Sequence, residues 1–139
     1  MKTILVIEDN KDILENLTEY LEIEGYKILA ANNGKRGVEL AREFIPDLII
    51  CDVLMHEMDG YEVLHLLLDT SETYEIPFIF STSVSEKVDR AAALRLGADD
   101  YIVKPFAMEL LMKMIDTWIG CGSNRHSFTT RKTEGLSPT

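Results

Sequence analysis

The stretch LIICDVLMHEMDG, Leu48 to Gly60, decides how this chain folds. Four apolar residues, Leu48-Ile49-Ile50-Cys51, end on one carboxylate, Asp52, and a polar loop then closes on the turn pair Asp59-Gly60. A short continuous apolar run bounded by turn residues reads as a buried strand. The aspartate at its exit has two readings, a strand terminus ahead of a helix cap or a functional carboxylate at a sheet edge. The rest of the chain bears on the choice.

Working outward, strand and helix signals alternate. Thr3 to Ile7 is a β-rich apolar run. Asp12 to Glu24 then sets Ile13, Leu14, Leu17, Tyr20 and Leu21 on one face at helical spacing, and Gly25 stops it. Lys27 to Ala31 reads as a second strand, with Asn32-Asn33-Gly34 as the turn. Gly37 to Phe44, carrying Val38, Leu40, Ala41 and Phe44, reads as a helix ended by Pro46. Beyond the third strand, Glu62 to Leu68 is a short apolar helix, and Phe78 to Ser81 is a fourth strand entered through Pro77. Glu86 to Leu96 is expected to be a helix with Val88, Ala91, Ala92 and Leu94 inward and Gly97 as its stop. Tyr101 to Val103 is a fifth strand, and Met108 to Ile119 a last helix with Leu111, Met114, Ile115 and Trp118 toward the core.

Five strands alternating with five helices predict an α/β fold, an open doubly wound parallel sheet covered on both faces. At 139 residues the chain suits one domain, placed at residues 1–119. Residues 120–139, rich in Gly, Ser, Thr and Arg and without periodicity, are expected to form a disordered tail.

The formal net charge is −10, and residues 120–139 are net basic, so the body is more acidic still. That balance argues against direct nucleic-acid binding, which needs clustered cations to displace counterions. It suits a bound cation or a protein partner, and equally a plain solvated surface. No apolar segment approaches the roughly 20 residues of a membrane span, and the N-terminus turns acidic at Glu8-Asp9 rather than ending in a small-residue cleavage pattern. Cys51 and Cys121 make no disulfide framework or CxxC pattern, and the expected compartment is a reducing cytoplasm.

In a sheet of this kind ligands bind beyond the carboxyl ends of the strands, near the point where strand order reverses. That rule selects Glu8-Asp9 after the first strand, Asp52 after the third, Ser81-Thr82-Ser83 after the fourth and Lys104-Pro105 after the fifth. Taken singly each has an ordinary role: Glu8-Asp9 and Thr82 or Ser83 as helix caps, Lys104 as a surface charge, Pro105 as loop punctuation. Taken together, three carboxylates on one edge repel, and a hard cation with oxygen ligands offsets that repulsion directly.

These residues, with the phrases MDGYEV and GADDYIVKPF, resemble the receiver domain of two-component response regulators over about residues 1–119. The resemblance implies the flavodoxin-like strand order 2-1-3-4-5, which is also the order given for a member of this family as an established example. It implies a phosphoacceptor module that takes a phosphoryl group onto Asp52 from a sensor histidine kinase or a phosphotransfer protein, with Mg2+ as cofactor. Carried over residue by residue, Asp9 and Asp52 coordinate the ion directly, Glu8 acts mainly through water, and the backbone carbonyl of Leu54 is the remaining protein ligand. Lys104 pairs with a phosphoryl oxygen, Thr82 donates its hydroxyl to another, and small Ser83 leaves room. Thr82 and Tyr101 form a switch acting on the surface of helix four, strand five and helix five, which would control a downstream protein or effector.

Two features depart from the family's usual wording. His56 stands where a proline is common, which should loosen the loop; it is expected to be a solvated loop histidine, with a metal or catalytic role as the alternative. Leu54 and Val84 are apolar where polar side chains in relatives orient a hydrolytic water, so slow loss of the phosphoryl group is expected. Three rival readings rank lower. A phosphatase of the haloacid dehalogenase type wants a second aspartate where Leu54 stands, and a nucleotide or flavin module lacks its glycine-rich loop after the first strand. A receiver that binds partners without phosphorylation has no need of intact Glu8, Asp9, Asp52, Thr82 and Lys104. The sequence leaves the oligomeric state open.

Overall fold

The computed structural model of the chain describes residues 1–83 and 90–119. Five strands, β1 (Thr3–Ile7), β2 (Lys27–Ala31), β3 (Leu48–Asp52), β4 (Phe78–Ser83) and β5 (Asp100–Lys104), form one parallel sheet in the order β2-β1-β3-β4-β5. The helices between and after them are α1 (Lys11–Ile23), α2 (Gly34–Phe44), α3 (Gly60–Leu68), α4 (Arg90–Arg95) and α5 (Met108–Trp118). The architecture and strand order are those the sequence implies.

Strand side chains alternate between faces, so each central strand divides its apolar run between two cores. Leu5, Ile7, Ile49, Cys51, Phe78 and Phe80 pack on the side of α2, α3 and α4. Ile4, Val6, Leu48, Ile50, Ile79 and Ile102 pack on the other side, against Leu17 and Leu21 of α1 and Leu111 and Ile115 of α5. Every residue of β3 is buried. That is why its sequence is a continuous apolar run instead of an alternating one.

Helix starts are set by side chains that accept orphan backbone N–H groups. Asn10 accepts from Ile13 at 3.0 Å and Asn33 from Arg36 at 2.8 Å. Asp59 forms a capping box with Glu62. These caps move two boundaries from their sequence expectation. Asn33 is a cap and not a turn residue, so α2 begins at Gly34 rather than Gly37, and the Asp59 box starts α3 at Gly60 rather than Glu62. Strand β4 runs on to Ser83, and β5 extends one residue at each end. Within α4 the inward alanine is Ala93, fully buried, whereas Ala91 is exposed. Phe44 is 48% exposed at the C-terminus of α2. Val84, Val88, the expected first turn of the fourth helix and the expected tail with Cys121 lie outside the described residues.

Two aspartates tie strand starts to distant loops. Asp99, buried before β5, accepts from the Phe78 N–H at 2.9 Å while its own N–H donates to the Phe78 carbonyl at 2.8 Å. Asp47 makes the same pair of bonds with Thr3, each at 2.8 Å. A buried bond to a charged acceptor contributes about 1.5–3 kcal/mol, and its loss strands a donor. We expect Asp99→Ala to lower the unfolding free energy by roughly 2 kcal/mol, read as a lower urea midpoint with unchanged slope. A midpoint within error of the native protein would refute that role.

Candidate functional site

Alternation puts Glu8, Asp52 and Lys104 in step with Val6, Ile50 and Ile102, on the α1/α5 side of the sheet at its carboxyl edge. Glu8 and Asp52 are each 3% exposed. One ligand oxygen from each of Glu8, Asp9 and Asp52 lies within 4.8 Å of the others. Lys104 reaches across from β5: its Nζ donates to Glu8 Oε1 at 3.0 Å and to Asp52 Oδ1 at 3.3 Å. Partial burial pulls the ammonium pKa down, but the Glu8 hydrogen bond and the charges of Glu8 and Asp52 outweigh it, and the net shift is upward. The Lys104–Pro105 peptide bond is cis.

The backbone holds these groups from below. Asp52 Oδ1 also accepts from the Val53 N–H at 3.0 Å, and Glu8 Oε2 accepts from the Asn10 N–H at 3.1 Å. The loop after Asp52 folds back tightly, with Gly60 N–H donating to the Val53 carbonyl and Met58 N–H to the His56 carbonyl, both at 2.7 Å. Gly60 passes so close beneath the site that a Cβ there would collide with the Asp52 carbonyl oxygen and press on Val53. Glu57 turns the loop with φ 68°, a left-handed conformation that costs a non-glycine residue about 1–2 kcal/mol. The loop after Asp52 is therefore closed by two backbone bonds of its own.

Thr82 is fully buried and in step with Phe80, on the opposite face from Asp52; its Oγ1 donates to the Ser83 carbonyl at 3.4 Å. Tyr101, half-buried, pairs with Phe80 in the β4–β5 register and packs against the core on the α3/α4 side. Thr82 and Tyr101 thus sit diagonally across one strand pair on one face. Leu54 is 58% exposed and lines a cavity of about 230 Å³ with Asp9, Met55 and His56.

Two features escaped the sequence reading. His56 Nδ1 lies 3.3 Å from Asp9 Oδ2 although its side chain is 95% exposed. Forty-seven residues separate the two, and no local signal joins them. Ser81, in register with Asp52, has a buried hydroxyl without a hydrogen-bond partner among the described residues. Cys51, next to Asp52, is inert: burial first, then the charges of Asp52, Glu8 and Asp59, push its thiol pKa well up, so no thiolate forms near neutrality.

Three convergent carboxylates form an oxygen-only donor set, which fits a hard divalent ion such as Mg2+. Glu8, Asp9 and Asp52 would hold it, and the ion would supply charge neutralisation to an incoming anion. A carboxylate cluster at the carboxyl edge of a doubly wound sheet in this strand order is what the receiver resemblance implies. The comparisons agree: residues 4–116 match the response regulator receiver domain family, and the chain belongs to it.

Among curated relatives it is 36% identical over 116 residues to protein PilH of Pseudomonas aeruginosa, covering 84% of this chain and 96% of that protein. It is 35% identical over 128 residues to the response regulator SaeR of Staphylococcus epidermidis, covering 91% of this chain but only 55% of SaeR. Among solved structures it is similar to the receiver domain of a signal transduction histidine kinase from Syntrophus aciditrophicus (TM-score 0.78, 36% identity, 86% of this chain and 90% of that one). A receiver domain protein from Clostridium thermocellum gives a TM-score of 0.79 at 28% identity, covering 86% of this chain and 94% of that one. No helix among the described residues is long and apolar enough to cross a membrane.

Proposed function

We propose that this chain is the phosphoacceptor of a two-component system, taking a phosphoryl group from a histidine kinase or phosphotransfer protein onto Asp52. The observation that carries the reading is the Lys104 ammonium shared between Glu8 and Asp52 beside a third carboxylate. An Asp52 oxygen attacks phosphorus, the new P–O bond forms as the P–N bond to the donor imidazole breaks, and the imidazole leaves with the electron pair and takes up a proton. Mg2+ bound by Asp9, Asp52 and the Leu54 carbonyl, with Glu8 acting mainly through water, would neutralise charge on the equatorial oxygens. Lys104 follows the transferred group as a mobile point charge, exchanging its Asp52 contact for a phosphoryl oxygen.

The output uses the opposite face. The Thr82 hydroxyl donates to the Ser83 carbonyl at 3.4 Å, a long bond, and a phosphoryl oxygen is a stronger acceptor. Its movement toward that oxygen vacates space beside Tyr101, whose inward shift biases the surface of α4, β5 and α5 toward a partner-binding state.

Acetyl phosphate with Mg2+ tests the reading. Intact-mass measurement is expected to find one added phosphoryl group, mapped to the peptide containing Asp52. The label should persist for minutes or longer after donor removal, because apolar Leu54 holds no attacking water. An unlabelled protein would overturn the phosphoacceptor assignment, and a label lost within seconds would overturn the role given to Leu54.

A further inference from the structure

The three-carboxylate set has an imidazole at its rim. His56 Nδ1 stands 3.3 Å from Asp9 Oδ2, and both residues line one cavity with Leu54, whose carbonyl completes the proposed ligand set. Two donors bound at right angles to one octahedral ion at about 2.1 Å sit about 3 Å apart, close to the separation found here. The turn at Glu57 and the Met58-to-His56 backbone bond fix the chain where His56 departs from it. Asp9 is itself 26% exposed in its side chain, and His56, 95% exposed, reaches it from the solvent side.

We propose that His56 is a further metal ligand, and that it shifts the selectivity of this site from Mg2+ toward first-row transition-metal ions that favour nitrogen donors. The inference rests on Glu8, Asp9 and Asp52 being a metal site. The chemistry is direct: Mg2+ favours oxygen ligands and keeps its waters, so an imidazole adds little to its binding. Ni2+ and Zn2+ bind imidazole well, and one nitrogen added to an oxygen-only set favours them selectively. Asp9 and His56 would both donate to the ion, in place of the hydrogen bond that joins them.

Calorimetric titration of the whole chain with Mg2+ and separately with Ni2+ tests this, using the native protein, His56→Ala and Asp9→Asn. The Ni2+-to-Mg2+ affinity ratio is expected to fall by about tenfold or more in His56→Ala, while Asp9→Asn weakens both ions. His56 is exposed, so its truncation leaves the fold intact. An unchanged ratio in His56→Ala, with Mg2+ still bound and still lost in Asp9→Asn, overturns the ligand role alone. Failure of the native protein to bind Mg2+ overturns the metal site and this inference with it.

Discussion

Asp52→Asn should take up no phosphoryl group from acetyl phosphate and yet unfold at a higher urea concentration than the native chain when divalent ions are absent. The first effect follows from the phosphoacceptor role proposed for that carboxylate. The second follows from charge. Asp52 has two like charges within 4.8 Å and one ammonium at 3.3 Å. At an effective dielectric of about 20, each repulsion costs about 3 kcal/mol and the attraction returns about 5, so among these charges repulsion outweighs attraction. Asparagine keeps an oxygen for the Val53 N–H, which donates to Asp52 Oδ1 at 3.0 Å. The expected gain is therefore roughly 1–2 kcal/mol. Saturating Mg2+ should reverse the ranking, because an ion at a hundred times its dissociation constant adds about 2.7 kcal/mol to a protein that binds it. A variant that is labelled like the native chain, or less stable than it without divalent ions, would contradict this account.

That repulsion explains why the sequence could be read at all. A carboxylate at the exit of the all-buried strand β3 is costly for folding, and the same holds for Glu8 beside β1. Residues that work against stability at a strand's carboxyl end stand out from the apolar periodicity around them. The parallel sheet and its two cores were legible for a related reason, since continuous apolar runs and helical spacing are both repeated patterns.

Where the pattern lacks contrast, legibility ends. In the run Ala91-Ala92-Ala93 every position is equally apolar, and only packing selects Ala93 as the buried one. Asn32-Asn33-Gly34 reads as a turn because asparagine serves turns and caps alike, and the Asn33 bond to Arg36 decides for the cap. Contacts that cross the chain leave no local trace. Lys104 and Glu8 lie 96 residues apart and were brought together by the strand-end rule. No rule points to the contacts of His56 with Asp9 or of Asp99 with Phe78, which depend on loop geometry.

Lys104→Met carries the other large expected effect, and it separates the two jobs of one ammonium. Methionine matches the stem of lysine and removes only the charge. Without it, Glu8 and Asp52, both buried, lose the cation that lies 3.0 and 3.3 Å from them. Removing one partner of a buried pair costs about 3–5 kcal/mol, and because Lys104 keeps some access to water the lower end applies: a loss of about 3 kcal/mol in the absence of divalent ions. The pH dependence fixes the sign. The pKa of Lys104 is raised in the folded protein, so its contribution is fully present below the ordinary lysine value of about 10.4 and fades as pH climbs through the folded value. The stability gap between native and variant should therefore be wide near neutrality and narrow on the alkaline limb. Saturating Mg2+ should restore part of the lost stability by neutralising the same carboxylates. It should not restore phosphoryl uptake, whose rate we expect to fall about 10²–10³-fold for want of a donor to the transferring group. Denaturant unfolding across the alkaline range, paired with initial rates of labelling, resolves the two roles. A gap that stays constant with pH would contradict the stabilising role of Lys104, and a labelling rate that Mg2+ fully rescues would contradict its role in transfer.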